Sequence, residues 1–251
     1  MSGIPSAMVG VLLHNSEGTA TGRGMKDIGT AFLAVAAGGS DVIAFLMLGH
    51  VFASAMTGNT ALLGIALSRG DLAGASLPIT ALASFVLGAV VGSVIYNPNA
   101  TARRRQATLR GLVGLEVICL AGFALIWQSV GHPADGFFQY ALITTSAFAM
   151  GVQGIAAKII NAPGVNTIVF TSTLVAIVLS LTEFLLGRRD SPEIRAATWR
   201  QIEAFLAYAL GAVIAGLLHW ADFGLLIWVP MAAAIVALIC FETTSAPSSD
   251  S

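Results

Sequence analysis

Charge is what this chain of 251 residues has least of. Only 10% of it is Asp, Glu, Lys or Arg, while 56% is hydrophobic. Soluble domains carry about 25% charged residues, so a surface this poor in charge excludes an ordinary soluble protein and makes lipid the surrounding solvent. Cysteine is scarce too. Cys119 and Cys240 both sit in apolar runs, which excludes a disulfide framework or a zinc site. No HExxH, GxSxG or Walker loop occurs, "GRGMKDIG" at 22–29 is no nucleotide fingerprint, and the four histidines lack ligand spacing. Neither an enzyme nor a bound cofactor or metal is therefore expected. The net charge of −1 says little about partners, because in a membrane protein the position of a charge matters more than the total.

What is present is a series of apolar runs about 20 residues long, each enough to cross a hydrocarbon core about 30 Å thick. Backbone satisfaction in lipid allows only helices or a closed barrel. The runs are too long and continuous for the roughly 10-residue alternation of barrel strands. The expected fold is all-α, a polytopic helical bundle. Six full spans are expected at roughly 29–49, 76–96, 109–129, 137–157, 201–219 and 222–241. Two further segments, 55–68 and 165–187, are too short or too polar at the start and read as half-helices. The expected organisation is a disordered tail over 1–27, a membrane domain over 28–241 and a second tail over 242–251. The segment before Met25-Lys26 lacks the basic leader and small-residue cleavage pattern of a secretory signal.

Short cytoplasmic loops are enriched in Lys and Arg. One basic cluster is Arg103, Arg104, Arg105 and Arg110, and another is Arg188, Arg189, Arg195 and Arg200. Six crossings place both on one side, with Arg23, Lys26 and Lys158, and leave the loops at 130–136 and 219–222 free of Lys and Arg. Eight crossings would separate the clusters. Both termini are therefore expected in the cytoplasm, with Arg69 alone on the outer side. The basic loop reads as a topological anchor, and no nucleic acid is expected as a partner. Trp127, Trp199, Trp220 and Trp228 fall near span ends, where indole rings favour the interface.

The chain also repeats itself. When residues 40–64, "SDVIAFLMLGHVFASAMTGNTALLG", are set beside 153–177, "QGIAAKIINAPGVNTIVFTSTLVAI", Val51 meets Val165 and Thr57 meets Thr171. In the same register Gly58 meets Ser172 and Asn59 meets Thr173; upstream, "GGSDVIAF" matches "GVQGIAAK" after a one-residue gap. Repeat one covers about 28–129 and repeat two about 137–241. Three crossings per repeat is an odd number, so the halves are expected to be inverted. In secondary transporters of that design, discontinuous helices meet near the midplane and present backbone groups to solute.

Thr57-Gly58-Asn59 and Thr171-Ser172-Thr173 then read as the polar openings of two half-helices. A helix start leaves about four N–H groups free and must be buried in protein or line a polar cavity; Thr and Asn also serve simply as caps. Gln153 is the further lining candidate, and Asn161 and Asn166 add polarity to the second repeat. Asp41, read as mid-span, is the coupling candidate, since an intramembrane carboxylate is costly and functional by default; a structural duty against a neighbouring turn is the alternative. Glu116, about two turns into its span, is a second coupling candidate or a partner for Arg110. His50, beside the break, is a third or simply interfacial. Gly88 with Gly92, and Ala212 with Gly216, form small-xxx-small pairs that bring helices close, within one subunit or in a homo-oligomer.

At "GGSDVIAFLMLGHVFASAMTGNTALLG" the chain resembles the YoaK-like family of bacterial membrane proteins, a domain of unknown function. The signature G-x-x-D-A, F-L-x-L-G and F-x-x-x-M-T-G-N with a trailing L-G is matched by Gly38, Asp41, Phe45, Leu46, Leu48, Gly49, Phe52, Met56, Thr57, Gly58, Asn59, Leu63 and Gly64. The family's second half, G-M-Q-N-A, P-G-V-P-T and T-G-T, reads here "GVQGIAA", "PGVNT" and "FTST", with Gly154, Asn166 and Ser172 in place of Asn, Pro and Gly. The resemblance spans about 28–241 and implies a bacterial inner-membrane protein. The function expected from the residues is a small-solute transporter or channel. A non-transporting membrane partner or sensor is the alternative, followed by a membrane-embedded enzyme.

Overall fold

A computed structural model describes residues 6–130, 136–160, 170–186, 191–222 and 224–244, with side chains from Gly24 onward and, after the gap at 161–169, from Thr173. Every regular element among them is helical: α1 Ser6–Met47, α2 Met56–Ser68, α3 Leu72–Ile95, α4 Ala102–Ser129, α5 Gly136–Ile160, α6 Phe170–Leu185, α7 Pro192–Trp220, and α8 Val229–Thr243, preceded by a short 3-10 helix at Gly224–Trp228. Six are long and apolar enough to cross a membrane, and they coincide with the six expected spans: Gly24–Met47, Leu72–Ile95, Ala102–Ser129, Gly136–Ile160, Pro192–Trp220 and Gly224–Thr243. At 1.5 Å per residue, α2 is about 20 Å long and α6 about 24 Å, so both fall short of the roughly 30 Å core.

Helix α1 begins at Ser6, so residues expected as a tail continue the helix; once a helix is nucleated, each added residue contributes a hydrogen bond. Side-chain caps define other starts. The Asp71 carboxylate accepts from the Gly74 N–H at 2.8 Å to open α3, and the Ser191 hydroxyl from Ile194 N–H at 3.3 Å to open α7.

The ends of the bundle can be told apart from contacts. Lys26 of α1, Arg105 and Gln106 of α4 and Ile159 and Ile160 of α5 surround one cavity of about 400 Å³. At the same end Arg110 pairs with Glu242 of α8 at 3.6 Å and donates to the Phe241 carbonyl at 3.0 Å. Glu116 is thereby left without the arginine expected to reach it. At the other end Ser76 of α3 and Tyr140 of α5 share a 2.6 Å hydroxyl hydrogen bond. The basic residues Lys26, Arg105 and Arg110 thus gather at one end.

Packing falls into matched pairs. α3 packs on α5 as α1 packs on α7; α4 packs on α5 as α8 packs on α1; α2 packs on α3 as α6 packs on α7. Burial follows the same pairing. The crossing windows of α1 and α5 are 61% and 56% buried, those of α4 and α8 39% and 44%, and those of α3 and α7 28% and 17%. α1 and α5 therefore form the centre, and α3 and α7 the flanks facing lipid.

Glycines carry the tight crossings. A Cβ on Gly38 would sit on the Tyr208 carbonyl oxygen, and one on Gly211 on the Val35 carbonyl; between α5 and α3, Gly151 stands likewise against Phe85 and Gly88 against Phe148. Such approach lets dispersion and Cα–H···O contacts hold helices together where lipid removes the hydrophobic drive. Gly88 and Gly92 pack inside this chain, against Phe148 and Ile155. In α7 the close residue is Gly211, and not the expected Gly216, beside which a Cβ meets open space.

Adding one methyl group at these crossings tests them directly. Gly151→Ala should lower the thermal unfolding temperature of detergent-purified protein by an amount matching about 1–3 kcal/mol of overpacking. Gly216→Ala, which faces open space, should leave it unchanged.

Candidate functional site

The interruption between α1 and α2 is built from a turn and a carboxylate. α1 stops at Met47, and Gly49 and His50 then take positive φ values of 88° and 65°. Glycine adopts that region readily, whereas a histidine there is strained. Residues 51–55 run back beside α1. The Ser54 N–H donates to Asp41 Oδ1 at 2.6 Å, its hydroxyl to Oδ2 at 2.7 Å, and the Ala55 N–H to Oδ1 at 3.4 Å. From the opposite half of the chain, the Tyr208 hydroxyl of α7 donates to Oδ2 at 2.7 Å.

Asp41 lies six residues before the end of α1, about 9 Å inside it, in the last third of the crossing and not in the middle as expected. The helix starts earlier and stops earlier than the hydropathy suggests. Because Ser54 is level with Asp41, α2 begins inside the bundle. The carboxylate takes the amides of the two residues just ahead of α2, near the positive end of its dipole, while the Met56 N–H donates to the Ser54 carbonyl and the Gly58 N–H to that of Ala55. Asp41 itself is 2% exposed, so in lipid it depends on its own four donors.

The expected triplet occupies the first turns of α2, with the chain break just upstream. Asn59 is fully buried, and its amide clamps the extended strand: Oδ1 accepts from the Phe52 N–H at 2.9 Å, and Nδ2 donates to the Phe52 carbonyl at 2.7 Å. This pairs both backbone groups of a residue that no ladder serves. Gly58 leaves room for the Phe52 ring, which a Cβ would strike at 2.8 Å. Thr57 is exposed. His50 is exposed and lies on the Phe45 ring at 5.1 Å, outside the set of Asp41 partners. It lines a second cavity of about 160 Å³ with Arg69 and Asp71 at that end of the bundle.

The second triplet is described in part. Thr173 is buried on α6, the Thr171 and Ser172 side chains lie outside the described residues, and so do Asn161 and Asn166. α2 packs on α3 and α6 on α7, so the two half-helices do not form a packed pair. Gln153 on α5 is buried; its Nε2 donates to the Leu33 carbonyl at 2.7 Å, and its Oε1 has no partner among the described residues. Glu116 on α4 is 0% exposed, and neither carboxyl oxygen has a hydrogen-bond partner there. The buried Ser40 hydroxyl is equally unpaired.

Sequence reasoning missed Ser54 and Tyr208. Tyr208 is one of three tyrosines and sits mid-helix in a lipid-facing span, a signal that was available; Ser54 carried none.

Six crossings and an interrupted helix pinned inside the bundle define a polytopic helical membrane protein. A family model described as protein of unknown function (DUF1275) matches residues 29–240, and the chain belongs to that family. It is 29% identical over 202 residues to the UPF0700 transmembrane protein YoaK of Bacillus subtilis (strain 168), a match covering 80% of this chain and 87% of that one. No solved structure matches it.

Removing the clamp should be more damaging than removing the exposed threonine. Asn59→Ala leaves the Phe52 N–H and carbonyl unpaired, at about 1–3 kcal/mol for each buried group. Thermal unfolding in detergent should show a clear loss for it and for Asp41→Ala, and almost none for Thr57→Ala.

Proposed function

We propose that the protein moves a small solute across a bacterial inner membrane, as a transporter or channel made of two inverted halves. The observation that carries this reading is the interruption ahead of α2 inside the bundle, where the Ser54 and Ala55 N–H groups are held by Asp41. Discontinuous helices of that kind mark the solute sites of inverted-repeat transporters. The matched packing pairs support the internal symmetry. In them α1 corresponds to α5 and α3 to α7, and the three crossings from α1 to α4 give the second half the opposite orientation. With both termini in the cytoplasm, the basic end of the bundle faces inward.

Under that correspondence Gly154 stands where Asp41 stands in the first half, and Phe85 where Tyr208 stands. The halves therefore do different work. At the α2 start the anion position is filled by Asp41, so Asn59 and Gly58 shape the loop and Thr57 faces outward. On this reading the solute is met by Thr171, Ser172 and Thr173 at the α6 start and by Gln153 of α5. A solute with an anionic or strongly accepting group suits a helix start.

The apolar packing around α1, α4 and α5 favours a competing reading, an integral membrane partner or sensor that moves nothing. Two measurements separate them. Thermal stabilisation of purified protein, screened across small metabolites, should identify a ligand; the same compound should then accumulate in reconstituted vesicles. Asp41→Asn should abolish that uptake while insertion is retained. Absence of any stabilising metabolite would refute the transporter reading, and full uptake by the Asp41→Asn variant would refute a coupling role for Asp41.

A further inference from the structure

The two acids of the membrane interior stand in opposite circumstances. Asp41 accepts four hydrogen bonds and pins a turn, which suits a carboxyl group that keeps its place. Glu116 accepts none and is completely enclosed. An unpaired ionised carboxylate so enclosed is strongly destabilising, whereas the neutral acid fits.

Glu116 also sits at a seam in the core. On its own helix Leu112 and Val113, a turn earlier, belong to one apolar cluster with Leu33, Val152 and Ala237. Leu120 and Phe123, a turn later, belong to another with Ala37, Met150 and Ala234. The boundary between the clusters passes through α4 at Glu116 and through α5 just before Gln153. The acid thus lies between the two apolar clusters, near the level at which α5 passes from Met150 in one to Val152 in the other.

Among the described residues, no ionisable group on the helices packed against α4 is paired with it. On α4, Arg110 is held by Glu242 and the carbonyls that end α8, and Cys119 is a half-buried thiol one turn on. α5 offers Tyr140 and Lys158 near its two ends, α8 offers Cys240 and Glu242, and the 3-10 helix offers none.

We propose that Glu116 is a proton-binding site of the transport cycle, neutral in the closed bundle seen here and ionised when the seam opens to water. The proton bonds to one carboxyl oxygen on entry and leaves from it to water; no other bond changes. A proton needs one acceptor, while a metal ion needs several convergent ligands, and the described residues contain no group of three or more His, Cys, Asp or Glu placed to hold one. This inference rests on the transporter reading but is tested without a solute.

The test is infrared difference spectroscopy of full-length protein in lipid vesicles, titrated from about pH 5 to about pH 10. A protonated-carboxyl carbonyl band should be present at neutral pH and lost on the alkaline side. It should vanish in Glu116→Gln, shift in Glu116→Asp and persist in Asp41→Asn. The inference is overturned by a band missing at every pH, by one that never bleaches, by one indifferent to both Glu116 variants, or by one displaced by sodium at constant pH. A titrating Glu116 band in a protein that no metabolite stabilises would instead count against the transporter reading alone.

Discussion

Lipid offers a broken backbone no water, and that constraint organises this molecule. Between α1 and α2 the chain leaves helical geometry while still inside the bundle, so its amides have to be paired by protein. Asp41 takes the Ser54 and Ala55 amides, and Asn59 takes both polar groups of Phe52. The glycine at 49, able to adopt positive φ, and the gap at Gly58 that admits the Phe52 ring follow from the same need. The residues from Asp41 to Asn59 thus carry the chemistry that keeps an interruption stable inside an apolar bundle.

That interruption also ties the two halves together. Tyr208 reaches Asp41 from α7, and α7 can come so close because Gly38 and Gly211 remove the Cβ atoms at the crossing. The same backbone geometry recurs between α3 and α5, at Gly88 and Gly151, with Phe85 in the place of Tyr208. The two crossings thus share a backbone geometry and differ in chemistry, a tyrosine hydroxyl at one and a phenylalanine ring at the other. The two central helices, α1 and α5, place their polar residues within a core otherwise made of Ala, Leu, Val and Phe.

Much of this was legible in the residues. Scarce charge and six long apolar runs specify a helical bundle, and "MTGN" marks where a short helix starts. Asp41 stands out as an acid in an apolar span. The depth of Asp41 was misplaced because hydropathy does not register the positive-φ turn that ends α1 at Met47. Ala212 and Gly216 were chosen by spacing alone, and spacing does not say which face of α7 meets α1; Gly211 does. Trp127, expected at an interface, is instead buried against Phe123 at 6.5 Å.

By itself, then, the sequence determined the solvent, the secondary structure, the number of crossings and the position of the first interruption, because each depends on hydropathy and local backbone preference over neighbouring residues. Only the tertiary structure decided which polar groups are paired. Ser54 is 13 residues from Asp41 and Tyr208 is 167 residues away. The isolation of Glu116 depends on what α5 and α8 fail to bring to it. Pairing in a low-dielectric interior is a property of distance between chain-remote atoms, and that distance exists only once the helices have packed.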